Sequence, residues 1–405
     1  MSSSEPASAK IAAQYKNWVY PQPVEDLEQF VAAGARIRGE PSGLWPKYWP
    51  HRRKRQPLDI LIAGCGTVQA AYFAYHNRDC RFVGIDLSAE SLERQAFLVR
   101  KHGLDNLVLL EKNILDVAEL GRDFDLIVST GVLHHMGDPD AGLRALAGCL
   151  RPEGVLDLMV YGKGLRVGVY MLQEAFRLLG LDQSQQSVEM VKAVIGALPA
   201  HHTANTYINS TKDMKFDAGI VDSFLNPVDR AYSVPEIYAF CENNGLAFMS
   251  WQEGFRYSLA ARFAADHPIQ RLAPTLDART EAHVCDLLTQ SQGTHSFVAA
   301  RPDYVARTRF DIDTADWTKA IPVRHPSLVG PTAEGNALAY AREGHRFFTP
   351  NEIGRILALV DGQNTLADIE KRAVADGIVG ADGARKIVQA AIAPMLAYGH
   401  VFALF

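Results

Sequence analysis

Leu58-Asp59-Ile60-Leu61-Ile62-Ala63-Gly64-Cys65-Gly66-Thr67, together with Asp86 placed 22 residues after Gly64, decides the fold. Leu58, Ile60, Leu61, Ile62 and Ala63 form a short, nearly unbroken apolar run, the pattern of a strand buried on both faces of a parallel sheet. Gly64 to Thr67 reads as a tight turn, Val68 to Tyr75 as a helix, and Phe82-Val83-Gly84-Ile85 as a second strand ending in Asp86. A strand, a glycine turn, a helix and a second strand closing on a carboxylate are the parts of a nucleoside-binding βαβ unit. The glycines let backbone N–H groups approach a ligand, and the carboxylate accepts hydrogen bonds from a ribose diol. Gln69 stands where a nicotinamide-dinucleotide turn needs its third glycine, and Val68 where a G-x-G-x-G turn needs one. Taken alone, the stretch also fits an ordinary strand-to-helix corner.

The rest of the composition narrows the class. A chain of 405 residues with 48% hydrophobic and 21% charged residues has room for two domains or one decorated domain. A net charge of −5 exerts no general pull towards nucleic acid or an anionic membrane. The five cysteines (65, 80, 149, 241 and 285) are scattered without a C-x-x-C pair. They fit neither a disulfide framework nor a zinc site and suit a reducing compartment, so a cytoplasmic location is expected. No apolar run is long enough to cross a bilayer, and the first residues lack the basic flank and apolar core of a secretion signal. The basic run His51-Arg52-Arg53-Lys54-Arg55 reads as a solvated loop, because no second basic cluster supports a nucleic-acid patch.

Downstream, strands and helices alternate. Ser88 is placed to cap a helix reaching about Lys101, which Gly103 ends. Leu107 to Leu110 and Phe124 to Ser129 read as the third and fourth strands, the latter leading into Thr130-Gly131-Val132-Leu133-His134-His135. A helix from about Pro139 to Leu150 and a fifth strand from Val155 to Tyr161 follow. This alternation predicts an α/β fold with an open, doubly wound sheet, whose ligands sit at the carboxyl ends of the strands.

Residues 58 to 161 resemble the core of a class I S-adenosylmethionine-dependent methyltransferase, of the group with an L-H-H stretch after the fourth strand. Four motifs carry the resemblance in order: Ala63-Gly64-Cys65-Gly66-Thr67, Gly84-Ile85-Asp86, Gly131-Val132-Leu133-His134-His135 and Leu150-Arg151-Pro152-Glu153-Gly154. It implies a seven-stranded Rossmann-like sheet and S-adenosyl-L-methionine as cofactor, leaving S-adenosyl-L-homocysteine as product. It also implies that Ala63, Gly64, Cys65 and Gly66 line the methionine part and that Asp86 holds the ribose. Leu87 and Ile114 would then sandwich the adenine, with Asn113 facing the adenine amino group and Thr130 at the end of the fourth strand beside the cofactor. Ala63, Val68 and Asn113 depart from the family pattern, which has an acid, a glycine and an acid there. Asn113 keeps a carbonyl oxygen able to accept from the amino group. Tyr15, Trp18 and Tyr20 precede the first strand, either as a lid over the ligand or as a staple of the N-terminus to the core.

Residues from 162 to about 245 form a mainly helical insertion that would overhang the carboxyl edge of the sheet, a natural place for acceptor recognition. Ser233-Val234-Pro235-Glu236 is a capping box opening a helix, and strands at Leu246 to Trp251 and His295 to Ala300 would complete the sheet. The expected divisions are 1–57 as a lid or cap segment, 58–301 as the methyltransferase domain and 302–405 as a small, mainly helical domain. In that last part Pro331 to Arg342 reads as a helix and Thr349-Pro350-Asn351-Glu352 as a further capping box. Helices then start at Thr365 and at Ala381, and with the terminal strand Val401 to Leu404 they resemble a small winged-helix module. Val360-Asp361-Gly362-Gln363-Asn364-Thr365-Leu366 resembles a turn of PqqD-like modules and of regulatory domains of some bacterial protein methyltransferases. The near-balanced charge of this last part argues against DNA reading and fits docking, homodimerisation or a purely stabilising role.

Methyl transfer is an in-line displacement at a sulfonium carbon, and it needs an acceptor held about 3 Å away, excluded water and a destination for any acceptor proton. The candidate catalytic residues are His134 and His135 at the end of the fourth strand, Tyr161 at the end of the fifth, and Asp222 and Tyr232 in the insertion. Asp229 and Arg230 belong to the same polar-aromatic group, and His201-His202 is a second histidine pair. No metal-ligand spacing is present, so direct, metal-independent transfer to a nitrogen or oxygen nucleophile is expected. A protein or peptide side chain is the favoured acceptor and a small metabolite the alternative. No Asn/Asp-Pro-Pro-Tyr/Phe follows the fourth strand, which with the acidic balance argues against a nucleic-acid acceptor. A non-catalytic cofactor-binding regulator and a nicotinamide oxidoreductase are the competing readings.

Overall fold

The computed structural model describes residues 18, 23–53, 55–290, 293–334, 337–342 and 344–405. The chain divides into two compact units. One comprises residues 1–39, 57–250 and 278–302, and the other 40–56, 251–277 and 303–405. The division therefore falls elsewhere than the expected boundaries at 57 and 301. Two segments assigned by sequence to the cap and to the methyltransferase domain, 40–56 and 251–277, belong to the second unit.

The first unit is built on one sheet of β1 (Asp59–Ala63), β2 (Arg81–Asp86), β3 (Leu107–Glu111), β4 (Phe124–Thr130), β5 (Leu150–Gly162), β6 (Ala231–Tyr232), β7 (Ala247–Trp251) and β8 (Thr294–Ala300). The order is β3-β2-β1-β4-β5-β8-β7, and the two-residue β6 pairs beside β5, so the sheet has eight strands where seven were expected. Every residue of β1 is buried, as its apolar run requires of a central parallel strand. The register pairs Ala63 with Ile85 of β2, and Ile62 with Val128 of β4. The chain steps from β1 to one side and later returns to the other, so the turn after Ala63 lies at the point where strand order reverses. β5 also begins earlier than expected, because Arg151 to Gly154 continue the strand through an irregular register instead of turning. β8 runs antiparallel to β5.

At the amino end of the sheet, Asp59 bonds Arg81 at 2.7 Å and Arg151 at 2.7 Å. The Arg81 guanidinium, against burial and with help from Arg151, holds the Asp59 carboxyl down at about 2. Local signals are met where they were expected. Ser88 accepts from the Ser91 amide at 3.1 Å, and Gly103 ends the helix Ala89–His102 in the left-handed region at φ 56°. Ser233 and Glu236 form their capping box at the start of the helix Val234–Asn243. The insertion consists chiefly of the helices Lys163–Leu178, Gln185–Gly196, Ala204–Ser210 and Asp217–Phe224. They bury a core of their own that includes Val169, Phe176, Val188 and Phe224.

The second unit corrects the sequence reading. Pro331 to Arg342 is not a helix. It contributes to the hairpin of β10 (Val329–Glu334) and β11 (Ala337–Arg342), and β12 (His345–Pro350) completes a three-stranded antiparallel sheet. The alanines of this segment favour a helix locally, but Tyr340 stacks on Phe347 of β12 at 5.5 Å, and cross-strand packing decides. Thr349 accordingly caps nothing and donates its hydroxyl to the Leu338 carbonyl. A capping box forms instead at Thr365 and Asp368, where a helix start is expected. β9 (Ile321–Arg324) pairs with β13 (Val401–Leu404), and the helices Asn351–Ala358, Leu366–Ala375 and Ala384–Ala397 pack a core around Trp317, Ile356, Ile369 and Val388. With two sheets as well as helices, the unit is less helical than expected.

Candidate active site

The glycine turn has the backbone that its sequence requires. Gly64 and Gly66 have φ of 76° and 55°, in the region that side chains avoid. A β-carbon at Gly64 would also collide with the Val132 side chain. The Gly64 and Cys65 amides both donate to the Ile85 carbonyl, at 2.9 and 3.0 Å, tying the turn to the end of β2. The Gly66 amide donates to Asp86 Oδ2 at 2.8 Å and the Ser88 amide to Asp86 Oδ1 at 2.9 Å. Burial raises the Asp86 carboxyl above its ordinary value, outweighing those two bonds, which favour its ionised form. A narrow turn whose Gly64 space a β-carbon would fill, beside a backbone-anchored carboxylate, fits an adenosine-bearing cofactor.

Around this turn, Gln69 donates to Thr130 Oγ1 at 3.1 Å, and the Lys112 amide reaches the Asp86 carbonyl at 3.0 Å. Asn113 uses its carbonyl oxygen to accept from the Leu115 amide at 3.0 Å, capping a short helical turn. Ile114 is buried and Leu87 exposed at 36%. Tyr15 and Tyr20 lie outside the described residues. Trp18 donates its indole N–H to the Gln183 carbonyl of the insertion at 3.0 Å.

The acceptor-side candidates gather where β4 and β5 end. Val132 packs at Gly64, and two residues later His134 lies fully buried with its ring centroid 3.7 Å from that of Tyr161. Tyr161 donates its hydroxyl to Asp222 Oδ2 at 2.8 Å. His135 places Nε2 3.8 Å from Asp222 Oδ1 and Nδ1 2.9 Å from the Val228 carbonyl. The same Nδ1 lies 3.1 Å from the Asn226 amide nitrogen, so a carbonyl and an amide donor both face it while Nε2 turns towards the carboxylate. Both ring nitrogens of His134 are buried without a hydrogen-bond partner. Burial first, then the His135 and Arg166 charges, hold this imidazole well below its usual range, so it is neutral. Burial of the hydroxyl end, reinforced by Asp222, raises the Tyr161 phenol well above its usual value.

The structure brings together four of the five catalytic candidates. Tyr232 sits instead on β6, its ring 5.1 Å from Phe240 and 4.6 Å from the Arg230 guanidinium, with its hydroxyl buried and unpartnered. His202 Nδ1 accepts from the Ala204 amide at 3.1 Å. Among the described residues, no group of His, Cys, Asp and Glu is arranged to hold a metal, and no helix is long and apolar enough to cross a membrane.

Sequence reading missed the layer beneath Tyr161. The Arg166 guanidinium lies 3.7 Å from the Tyr161 ring centroid and bonds to Asp229, with both side chains enclosed. Tyr170 and Gln173 donate to Asp229 at 3.1 and 2.9 Å, and Tyr207 bonds Ser223 at 3.0 Å. Burial alone would push Arg166 down, but Asp229 and the surrounding phenols hold it charged. The available signal is the spacing of Arg166, Tyr170 and Gln173, which puts three polar groups on one helix face.

Residues 61–156 match the family model described as "Methyltransferase domain". The protein syc1184_c of Synechococcus sp. is 28% identical over 67% of this chain and 66% of its own length. The cyclopropane-fatty-acyl-phospholipid synthase of Escherichia coli is 33% identical over 26% of each chain. The chain thus spans just under two thirds of the first of these curated relatives and about a quarter of the second. Among solved structures, PKMT2 from Rickettsia typhi in complex with AdoHcy superposes with a TM-score of 0.61 at 16% identity, covering 95% of this chain and 77% of that one. At this identity the likeness is one of fold.

Proposed function

We propose that this chain, whose core is an S-adenosylmethionine-dependent methyltransferase domain, methylates a nitrogen or oxygen nucleophile held beside His134 and Tyr161, and that the acceptor is a protein or peptide side chain. One observation carries the placement: Val132 packs at Gly64, so the loop bearing His134 and His135 starts at the cofactor turn itself. When bound, S-adenosylmethionine supplies an electrophilic methyl group. The chain's own residues supply the rest.

Gly64, Gly66 and Asp86 seat the donor, flanked by Ala63, Cys65 and Thr130, with Leu87, Asn113 and Ile114 on the adenine side. His134, neutral and with its nitrogens unpaired, accepts the proton that an N–H or O–H acceptor must lose. Tyr161 donates to Asp222, and the pair fixes the wall against which the acceptor lies. The enclosed Arg166–Asp229 pair stiffens this wall from behind. Transfer in this arrangement needs no metal.

Two features support a polypeptide acceptor. A second compact unit accompanies the domain, and Val167, Met171 and Leu178 stand more than half exposed along one face of the inserted helix, an apolar surface that a polypeptide can cover. The curated relatives' names favour no single acceptor class. Incubating the full chain and methyl-labelled donor with cell extract tests the reading. Label in the polypeptide fraction, absent from an Asp86→Ala control, is expected. Label confined to small molecules would establish the alternative acceptor class, and no transfer to any fraction would sink the enzymatic reading in favour of a cofactor-binding regulator.

A further inference from the structure

Gln95 lies on the helix Ala89–His102, in a stretch whose pattern reads as half-exposed, yet it is fully buried. All of its amide capacity is directed at the cofactor turn and the helix that follows. Oε1 accepts from the Ala71 amide at 2.8 Å, and Nε2 donates to the Cys65 carbonyl at 2.8 Å and to the Gly66 carbonyl at 2.8 Å. A peptide unit is planar, with its C=O and N–H pointing in opposite directions. Holding the Cys65 carbonyl therefore sets the direction of the Gly66 N–H, which is the group that bonds Asp86 Oδ2 at 2.8 Å. One peptide is gripped at both ends, by Gln95 and by Asp86.

We propose that Gln95 is a positioning residue for S-adenosylmethionine, one that sets the turn 64–67 and, through the Cys65–Gly66 peptide, the Asp86 carboxylate. The inference rests on the reading of this turn as the donor site. It also gives a physical account of how the turn keeps its shape with Val68 in place of a third glycine. Two residues already sit at positive φ, and a side chain reaching in from the neighbouring helix holds the carbonyls that the backbone alone leaves unfixed. No other side-chain type does this equally well, because the position needs one acceptor and two donor hydrogens at the same depth.

The test is calorimetric titration of the full chain with S-adenosylhomocysteine, alongside thermal unfolding. Gln95→Met keeps the volume and removes the hydrogen bonds, and it is expected to raise Kd at least about tenfold. Gln95→Glu removes the donors when ionised, but its protonated form can again donate once. Its affinity should therefore recover several-fold as pH falls from 8 to 6, while the unaltered chain changes little. Reversible pH dependence of this kind is not produced by a residue that merely fills space. Should Gln95→Met fail to fold, the Gln95→Glu titration and the shorter Gln95→Asn, expected to weaken binding to an intermediate degree, carry the test. Unchanged Kd in folded Gln95 variants would overturn the role of Gln95 alone. Absence of binding by the unaltered chain would overturn the donor site itself.

Discussion

Tyr161 and Asp222 meet through a 2.8 Å hydrogen bond that links the end of β5 to the last turn of the helix Asp217–Phe224. A side chain of the sheet and a side chain of the insertion thus share one proton-bearing contact at the edge where ligands enter such sheets. Removing either group should be felt in turnover more than in donor binding. Tyr161→Phe and Asp222→Asn are each expected to lower methyl transfer about 10- to 100-fold, with S-adenosylhomocysteine affinity within about twofold of the unaltered chain. Parallel loss of affinity in both would place the pair in the donor site instead.

His134 makes a prediction about pH. Its imidazole is held well below its usual range by burial and by neighbouring positive charge, so it stays neutral throughout the neutral range. His134→Gln should lower the rate about 100-fold. The unaltered chain should show no acid limb near pH 6.5 that this substitution removes. A limb at that pH which disappears in His134→Gln would contradict the assignment.

His295 bears on acid stability. It is buried, donates through Nε2 to the Tyr232 carbonyl at 3.0 Å, and is pulled down by burial to about 4. Its folded value lies below its unfolded one, so the unfolded chain takes up the proton first, and stability falls as pH drops from 6.5 towards 4. The loss approaches about 3 kcal/mol over that window. His295→Gln keeps a donor and should flatten this part of the curve, as read by urea unfolding at pH 7 and pH 5.

Asp286 has the opposite sign. Burial raises its carboxyl to about 6, and its Oδ1 has no hydrogen-bond partner. The folded value exceeds the unfolded one, so this group's favourable contribution is complete below about pH 3.8 and is lost as pH rises through 6. Asp286→Asn should therefore stabilise the first unit by about 1–3 kcal/mol at pH 8 and by little at pH 4. Denaturant midpoints at the two pH values decide it.

Gly64→Ala combines a backbone penalty at φ 76° with a collision at Val132. Weakened S-adenosylhomocysteine binding and a loss of about 1–3 kcal/mol are expected. Adding Val132→Ala should relieve the collision and return only part of the loss, because the positive φ remains. Full recovery in the double variant would mean that the dihedral imposes no constraint.

What the sequence disclosed and what it hid follow from the range of the interactions involved. Leu58 to Asp86 was legible because glycine dihedrals, strand burial and the terminal carboxylate are local properties written in neighbouring residues. The helix start at Thr365 was legible for the same reason. Gln95 was not, since a glutamine on an amphipathic helix has the pattern of a surface residue, and its partners lie some 30 positions away. Arg166 was hidden further, because an enclosed cation is credible only once Asp229, 63 positions later, is known to meet it. Pro331 to Arg342 misled because alanine-rich segments favour helices until a partner strand rich in aromatics is in place.

The second unit's composition has a practical bearing on how acceptor docking is to be probed. Tyr304 bonds the Tyr48 carbonyl at 2.7 Å, Lys47 the Trp251 carbonyl at 2.7 Å, Arg342 the Gln252 carbonyl at 2.9 Å, and the Phe405 amide the Pro50 carbonyl at 3.0 Å. Cutting the chain after residue 301 would therefore leave two orphaned fragments behind, Trp49 and its neighbours in one and Phe255 and Tyr257 in the other, with greasy surfaces opened to water. A shortened protein that lost activity would report this damage as readily as a missing docking module. Single exchanges on the outer face of the intact unit are the sounder probe.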